Sequence, residues 1–181
     1  NISLDLMLGI PLQTPNSLHQ SIEFITNMQP THLSAYILKL EEGTPLYKNQ
    51  LNYIFPDEDT TADLYLQAVE ELAAKGFRQY EISNFARDGK VSRHNLRYWT
   101  LGEYAGFGPG AHSDFGGCRY SYIADLEGYI RGVTQGTRLL DHSDLIPERE
   151  RGSEYLMLRL RTTHGIEEWE YRRTYYMNFD P

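Results

Sequence analysis

Ser3-Leu4-Asp5-Leu6-Met7-Leu8-Gly9-Ile10-Pro11 is the stretch that decides the fold. From Ile2 to Gly9 the run is almost unbroken in apolar residues, the pattern of a parallel strand covered on both faces, and Pro11 with the Gln13-Thr14-Pro15 turn ends it. Working outward, Leu18, Ile22, Ile25 and Met28 recur at helical spacing behind a Ser17…Gln20 capping box, and Pro30 stops them. His32 to Leu38 reads as a second strand, left through the loop Glu41-Glu42-Gly43-Thr44-Pro45. A second helix is predicted from about Asp59 to Lys75, with Leu66, Val69, Leu72 and Ala73 on one face, Asp57 or Asp59 near its start and Gly76 just past its end. Gln79-Tyr80-Glu81-Ile82 supplies a third, short strand. The β-α-β-α-β order implies right-handed crossovers and a parallel sheet, whether open or part of a barrel.

The periodicity fails from Ser83 to Gly117, where Gly, Asn, His and aromatic residues accumulate. Irregular stretches of that length inside compact domains usually carry function, so the site is expected here. Helical patterning returns after Asp125 through Tyr129, and again from Pro147 to Arg161. The expected organisation is α/β over residues 1–140, including the Gly- and aromatic-rich loop region, with the start of a small, mainly helical domain over 141–181. A buried-type strand directly after Asn1 and the apolar end Tyr175 to Pro181 predict a piece of a longer chain, cut at both ends.

Bulk properties exclude several classes. The 181 residues are 40% hydrophobic and 23% charged with a formal net charge of −8, so the footprint of a general nucleic-acid binder is missing. No window reaches the ~18 apolar residues of a transmembrane segment, and the first residues show no basic region followed by an apolar stretch and a small-residue cleavage site. Cys118 is the sole cysteine, which permits neither an internal disulfide nor a Cys-rich metal site and points to a reducing compartment. The chain therefore reads as a soluble, cytoplasmic protein.

Asp5 is the first candidate site residue. A carboxylate inside a strand of Leu, Met and Ile is costly unless something pairs with it. Alternation puts Leu4, Leu6 and Leu8 on one face and Asp5, Met7 and Gly9 on the other. Two readings stay open: a ligand contact in a barrel lumen, or an internal salt bridge to an Arg or Lys on a neighbouring strand.

Arg93-His94-Asn95-Leu96-Arg97-Tyr98-Trp99 is the second candidate. An imidazole at His94 can ligate haem iron, the rings of Tyr98 and Trp99 can stack on the macrocycle, and the two arginines can pair with carboxylates such as propionates. On spacing alone the plainer alternative is favoured, a His bonded to backbone beside a core Tyr-Trp pair. A zinc site is not supported, because His112, His142 and His164 lack ligand spacing. Gly106-Phe107-Gly108-Pro109-Gly110-Ala111 matches a dinucleotide fingerprint in letters only, since no strand precedes it and Pro109 restricts the loop. It reads as a tight turn where backbone approaches a ligand or another segment. His112-Ser113-Asp114 offers no nucleophile elbow and is not read as a triad.

Five segments then carry a resemblance: Asp5 to Thr14 (DLMLGIPLQT), Leu33-Ser34-Ala35-Tyr36, Glu41 to Tyr47 (EEGTPLY), Tyr80 to Ala86 (YEISNFA) and Gly106 to Ser113 (GFGPGAHS). Together, and in consistent order over about residues 3 to 130, they resemble the oxygen-independent coproporphyrinogen III oxidase family of radical-SAM proteins. The resemblance implies an incomplete (β/α)6 barrel followed by a small, mainly helical domain, of which this chain would hold the later strands and the start of the appendage. It implies that Asp5 contacts S-adenosylmethionine, the role of the Asp in the family's D-L-M-x-G-[IL]-P strand. The family's [4Fe–4S] cluster sits in an N-terminal Cys-x-x-x-Cys-x-x-Cys motif; that motif and the upstream Gly-Gly pair are absent from this sequence, so no cluster ligand and no catalytic residue is assigned in it. Two branches are implied. Oxidases decarboxylate coproporphyrinogen III to protoporphyrinogen IX, whereas haem chaperones bind haem and deliver it to respiratory haem proteins and are marked by H-N-x-x-Y-W. His94-Asn95-Leu96-Arg97-Tyr98-Trp99 fits that motif without departure, and Glu41-Glu42-Gly43-Thr44-Pro45 also resembles the chaperone branch. The expectation is a haem chaperone with His94, Tyr98 and Trp99 at the haem; the oxidase is the alternative.

Overall fold

The computed structural model describes residues 1–175. The chain divides into two compact units, Asn1–Ser92 and Arg93–Pro181, whereas the sequence pattern places the boundary at residue 140.

In the first unit, β1 (Ser3–Leu8) leads through a turn into α1 (Pro15–Asn27), followed by β2 (His32–Ile37) and the single-turn α2 (Pro45–Lys48). Then come α3 (Glu58–Ala74) and the short strands β3 (Arg78–Glu81) and β4 (Asn84–Ala86). The start of α1 differs from the predicted cap. Thr14 is the N-cap, and Thr14 and Ser17 satisfy each other's backbone N–H groups reciprocally, with Pro15 at the first helical position. Asp57 caps α3, and Gly76 takes the left-handed conformation just past the Lys75 C-cap, as its position predicts.

Strand β1 pairs with β2 in parallel, as the crossover through α1 requires. The third predicted strand, β3, runs the same way but is not paired with β2 in the ladder. Strand β4 lies between them, antiparallel to both, giving the order β1-β2-β4-β3. The sheet, expected to be fully parallel, is thus a mixed one. Leu6 and Leu8 of β1, Leu33 and Ala35 of β2 and Phe85 of β4 pack against Leu18 and Ile22 of α1 and Leu64, Ala68 and Leu72 of α3. Leu66, expected on that face of α3, is 56% exposed because the true stripe is 64/68/72 with Val69 at its margin.

In the second unit, α4 (Arg93–Trp99) precedes the antiparallel hairpin β5 (His112–Phe115) and β6 (Cys118–Tyr122). Gly116 and Gly117, both at positive φ, form its two-residue turn. Helix α5 (Leu126–Gln135), capped by Asp125, returns the chain to β7 (Leu140–Leu145), which pairs with β6. Helices α6 (Glu148–Arg159) and α7 (Glu168–Tyr175) follow. The segment expected to be helical from residue 141 therefore opens inside a strand, and its last residues, 176–181, lie outside the described residues.

Candidate functional site

Asp5 stands on the sheet face opposite the helices, because the two-residue period of β1 turns Leu6 and Leu8 into the core. Across the ladder it is opposite Ser34, and Ser34 is opposite Asn84, so three strands place a polar row on this face. Asp5 is exposed, and among the described residues it has no hydrogen-bond or ion-pair partner. The internal salt bridge left open by the sequence is not formed. One step along the face, His32 is buried with Nδ1 2.8 Å from Ser3 Oγ and Nε2 2.7 Å from the Tyr80 hydroxyl. Burial holds its imidazole below the usual histidine range, against the pull of Asp5 and Glu81. Glu81 accepts from Ser83 N at 3.0 Å and from Asn84 Nδ2, while Asn84 Oδ1 is buried with no partner among the described residues.

The C-terminal end of β1 is shaped by Gln13, which carries no signal in the sequence beyond its place in a turn. Its amide accepts from Gly9 N at 2.7 Å and donates to Met7 O at 3.0 Å, so a side chain closes the strand edge as backbone would. Gly9 sits at φ +73°, and a Cβ there would lie 3.2 Å from Thr61 Cγ2. Beside it a cavity of about 490 Å³ opens at the ends of β1 and β2, between Gly9, Ile37–Leu40, Phe55 and Thr61.

Helix α4 distributes its side chains over three flanks, since successive residues turn by about 100°. His94 and Tyr98 share one flank at i, i+4: His94 Nε2 is 3.0 Å from the Tyr98 hydroxyl, and the rings meet edge-on at 4.9 Å. Tyr98 also meets Tyr104 edge-on at 4.6 Å. Arg93 and Arg97 share a second flank and line, with Leu96, Thr100 and Gly102, a shallow cavity of about 330 Å³. Trp99 lies on a third, with the Arg161 guanidinium over its ring at 4.3 Å and its indole N–H buried. The structure thus brings His94 and Tyr98 together and sets Trp99 apart from them. His94 bonds a side chain rather than backbone, and Tyr98 and Trp99 do not form the core pair of the plainer alternative.

Tyr104 is held by a two-way backbone bridge to Asp114, at 2.8 and 2.9 Å. Asp114, 7% exposed in its side chain, accepts two bonds from Arg151 at 3.0 and 2.6 Å and one from Arg119 at 2.9 Å. Arg119 in turn donates to both oxygens of Glu154 at 2.9 and 2.8 Å. Burial works to raise the Asp114 carboxyl, but the Arg151 and Arg119 bonds outweigh it and hold it below the usual range; the Arg119 bond does the same for Glu154. Asp114 is therefore a structural clamp between the β5–β6 hairpin and α6. The preceding Gly-rich segment is a close approach of backbone, as predicted: a Cβ on Gly106 would collide with His112 O.

No protein-family model matches the chain. Over 185 residues, 99% of its length, it is 36% identical to the heme chaperone HemW of Bacillus subtilis. It is 38% identical over 184 residues to the mitochondrial radical S-adenosyl methionine domain-containing protein 1 of Mus musculus. The chain is thus similar to proteins of the coproporphyrinogen III oxidase-like radical-SAM family. It spans about half the length of the curated relatives it matches, 48% of the Bacillus protein and 41% of the mouse one. Among solved structures it superposes on the Escherichia coli radical-SAM coproporphyrinogen III oxidase HemN with a TM-score of 0.78, over 97% of this chain and 43% of that one, at 16% identity. The α/β fold is accordingly that of the C-terminal part of the radical-SAM barrel with its appendage.

Proposed function

We propose that the protein is a haem chaperone, which binds haem as cargo at α4 and delivers it to respiratory haem proteins. The His94–Tyr98 pair, with its imidazole exposed, carries this reading, because it offers a nitrogen and an oxygen donor on one helix flank beside two guanidinium groups. The naming of several relatives as heme chaperones supports it. His94 is the proposed iron ligand and Tyr98 its neighbour at the ring. Trp99, with its ring face covered by Arg161, braces the helix instead of stacking on the cargo.

Asp5 fits a role toward S-adenosylmethionine, since it is an exposed carboxylate, without a partner among the described residues, in a polar row of three strands. The family's cofactors, S-adenosylmethionine and a [4Fe–4S] cluster, supply radical chemistry when bound. The residues of this chain do not fit the cluster, which needs several thiolates where Cys118 supplies one. We place the protein in the cytoplasm on that lone cysteine. Among the described residues no helix is long and apolar enough to cross a membrane.

Coproporphyrinogen III oxidation is the alternative. The likeness to HemN supports its fold alone. Transfer separates the two readings. The chain loaded with haemin is mixed with the apo form of a respiratory haem protein, and the acceptor's absorption spectrum is followed. Gain of the acceptor's holo spectrum is expected. No haem bound or none passed on, together with anaerobic turnover of coproporphyrinogen III by the cluster-loaded full-length protein, contradicts the chaperone reading.

A further inference from the structure

The arginine flank of α4 is left unbalanced by its surroundings. Arg93 and Arg97 are like charges at i, i+4, an arrangement that repels, and Arg93 stands in the first turn, where the helix dipole disfavours a cation. The chain carries 25 acidic and 17 basic residues, yet among the described residues no carboxylate lies within ion-pair distance of either guanidinium. Arg97 donates one N–H to the backbone of Glu103 at 2.9 Å, while the Glu103 carboxylate turns to Gly116 N at 2.7 Å. Gly102 makes room for the Arg97 stem, since a Cβ there would lie 3.0 Å from Arg97 Cγ. Two exposed guanidiniums with unused donors therefore face a cavity of about 330 Å³.

We propose that the Arg93–Arg97 cavity is a carboxylate subsite, which holds the propionate edge of a tetrapyrrole while the metal lies at the adjoining His94–Tyr98 flank. The two flanks are about 100° apart on one helix, so a flat ring laid against the His94–Tyr98 flank can extend its flexible propionate arms to the arginines. The planar fork of each guanidinium suits a carboxylate bidentately, which a lysine would not. The ring and metal in this assignment rest on the haem reading; the carboxylate preference rests on the arginines.

The test compares free-acid and esterified ligands on the full chain: haemin against its dimethyl ester, and metal-free protoporphyrin IX against its dimethyl ester. Binding is followed by absorbance and by fluorescence quenching. The acids are expected to bind about tenfold or more tighter than the esters. The double variant Arg93→Gln/Arg97→Gln brings the acids down to the affinity of the esters and leaves the esters unchanged. Arg93→Lys/Arg97→Lys, which keeps the charge, retains part of the preference, and thermal melts show that the variants fold. His94→Ala alters the haemin spectrum but not the acid preference for the metal-free ring. Equal affinity for acid and ester, or a preference that survives Arg93→Gln/Arg97→Gln, overturns the subsite while leaving haem binding intact. Failure of every tetrapyrrole to bind removes both the subsite and the haem reading.

Discussion

On the proposed haem reading, the Tyr98 hydroxyl and an incoming iron compete for one atom, His94 Nε2. In the structure the hydroxyl holds it at 3.0 Å. A hydrogen bond of this kind contributes roughly 1 kcal/mol, so haem has to displace a bond worth about fivefold in affinity. Tyr98→Phe keeps the edge-on packing against Tyr104 and frees the nitrogen. Haemin affinity, measured by titration, is expected to rise severalfold; an unchanged or lower affinity means that the hydroxyl supports the ligand rather than masking it. Asp5 and His94 were both legible as single residues in the sequence, one as a carboxylate in an apolar strand and the other within a seven-residue motif. Their surroundings were not. The two-residue period of a strand fixes which face Asp5 takes, but only the helix shows that Tyr98 shares a flank with His94 and that its neighbour Trp99 does not.

At the scale of elements, the clamp of Asp114, Arg119, Arg151 and Glu154 holds α6 to the β5–β6 hairpin and, through the backbone bridge to Asp114, supports Tyr104 beneath Tyr98. Removing Arg151 leaves a nearly buried carboxylate with one partner, and Arg151→Ala is expected to cost ~3 kcal/mol in a denaturation curve. The clamp also sets a pH dependence. Asp114 and Glu154 are held below the ordinary carboxylate range in the folded chain, whereas unfolded carboxyls titrate near pH ~4. The unfolded state then binds more protons in the interval between, so this stability is fully present above about pH 5 and is lost as pH falls through the folded values. Unfolding midpoints taken from pH 3 to 7 should fall on the acid side, with a shallower fall in Arg151→Ala; parallel profiles would show that the clamp is not the source. The sequence could not show this clamp, because Arg151 is 37 residues from Asp114 and Glu154 is 35 from Arg119. Helices α1, α3, α5 and α6 were legible from apolar spacing, whereas α4 lies in the stretch where the periodicity fails. The hairpin was not legible, although Gly116-Gly117 is its turn signal, because β5 and β6 are too polar to stand out as strands.

For the chain as a whole, five segments in consistent order carried the resemblance to the family, and the relatives and the fold agree with it. What composition could not show is where charge is left uncompensated. A chain of net charge −8 keeps Arg93 and Arg97 apart from its carboxylates, and that emerges only once the fold has placed every acidic side chain among the described residues. The mixed order β1-β2-β4-β3 was equally hidden, since a three-residue strand with no alternation of its own gives no periodic signal. The central claim is that haem binds at His94, and titration of the chain with haemin tests it most directly. The Soret band is followed for the wild type and for His94→Ala. The wild type should saturate with a shifted band that His94→Ala weakens or abolishes; an unchanged spectrum and affinity in the variant would contradict it.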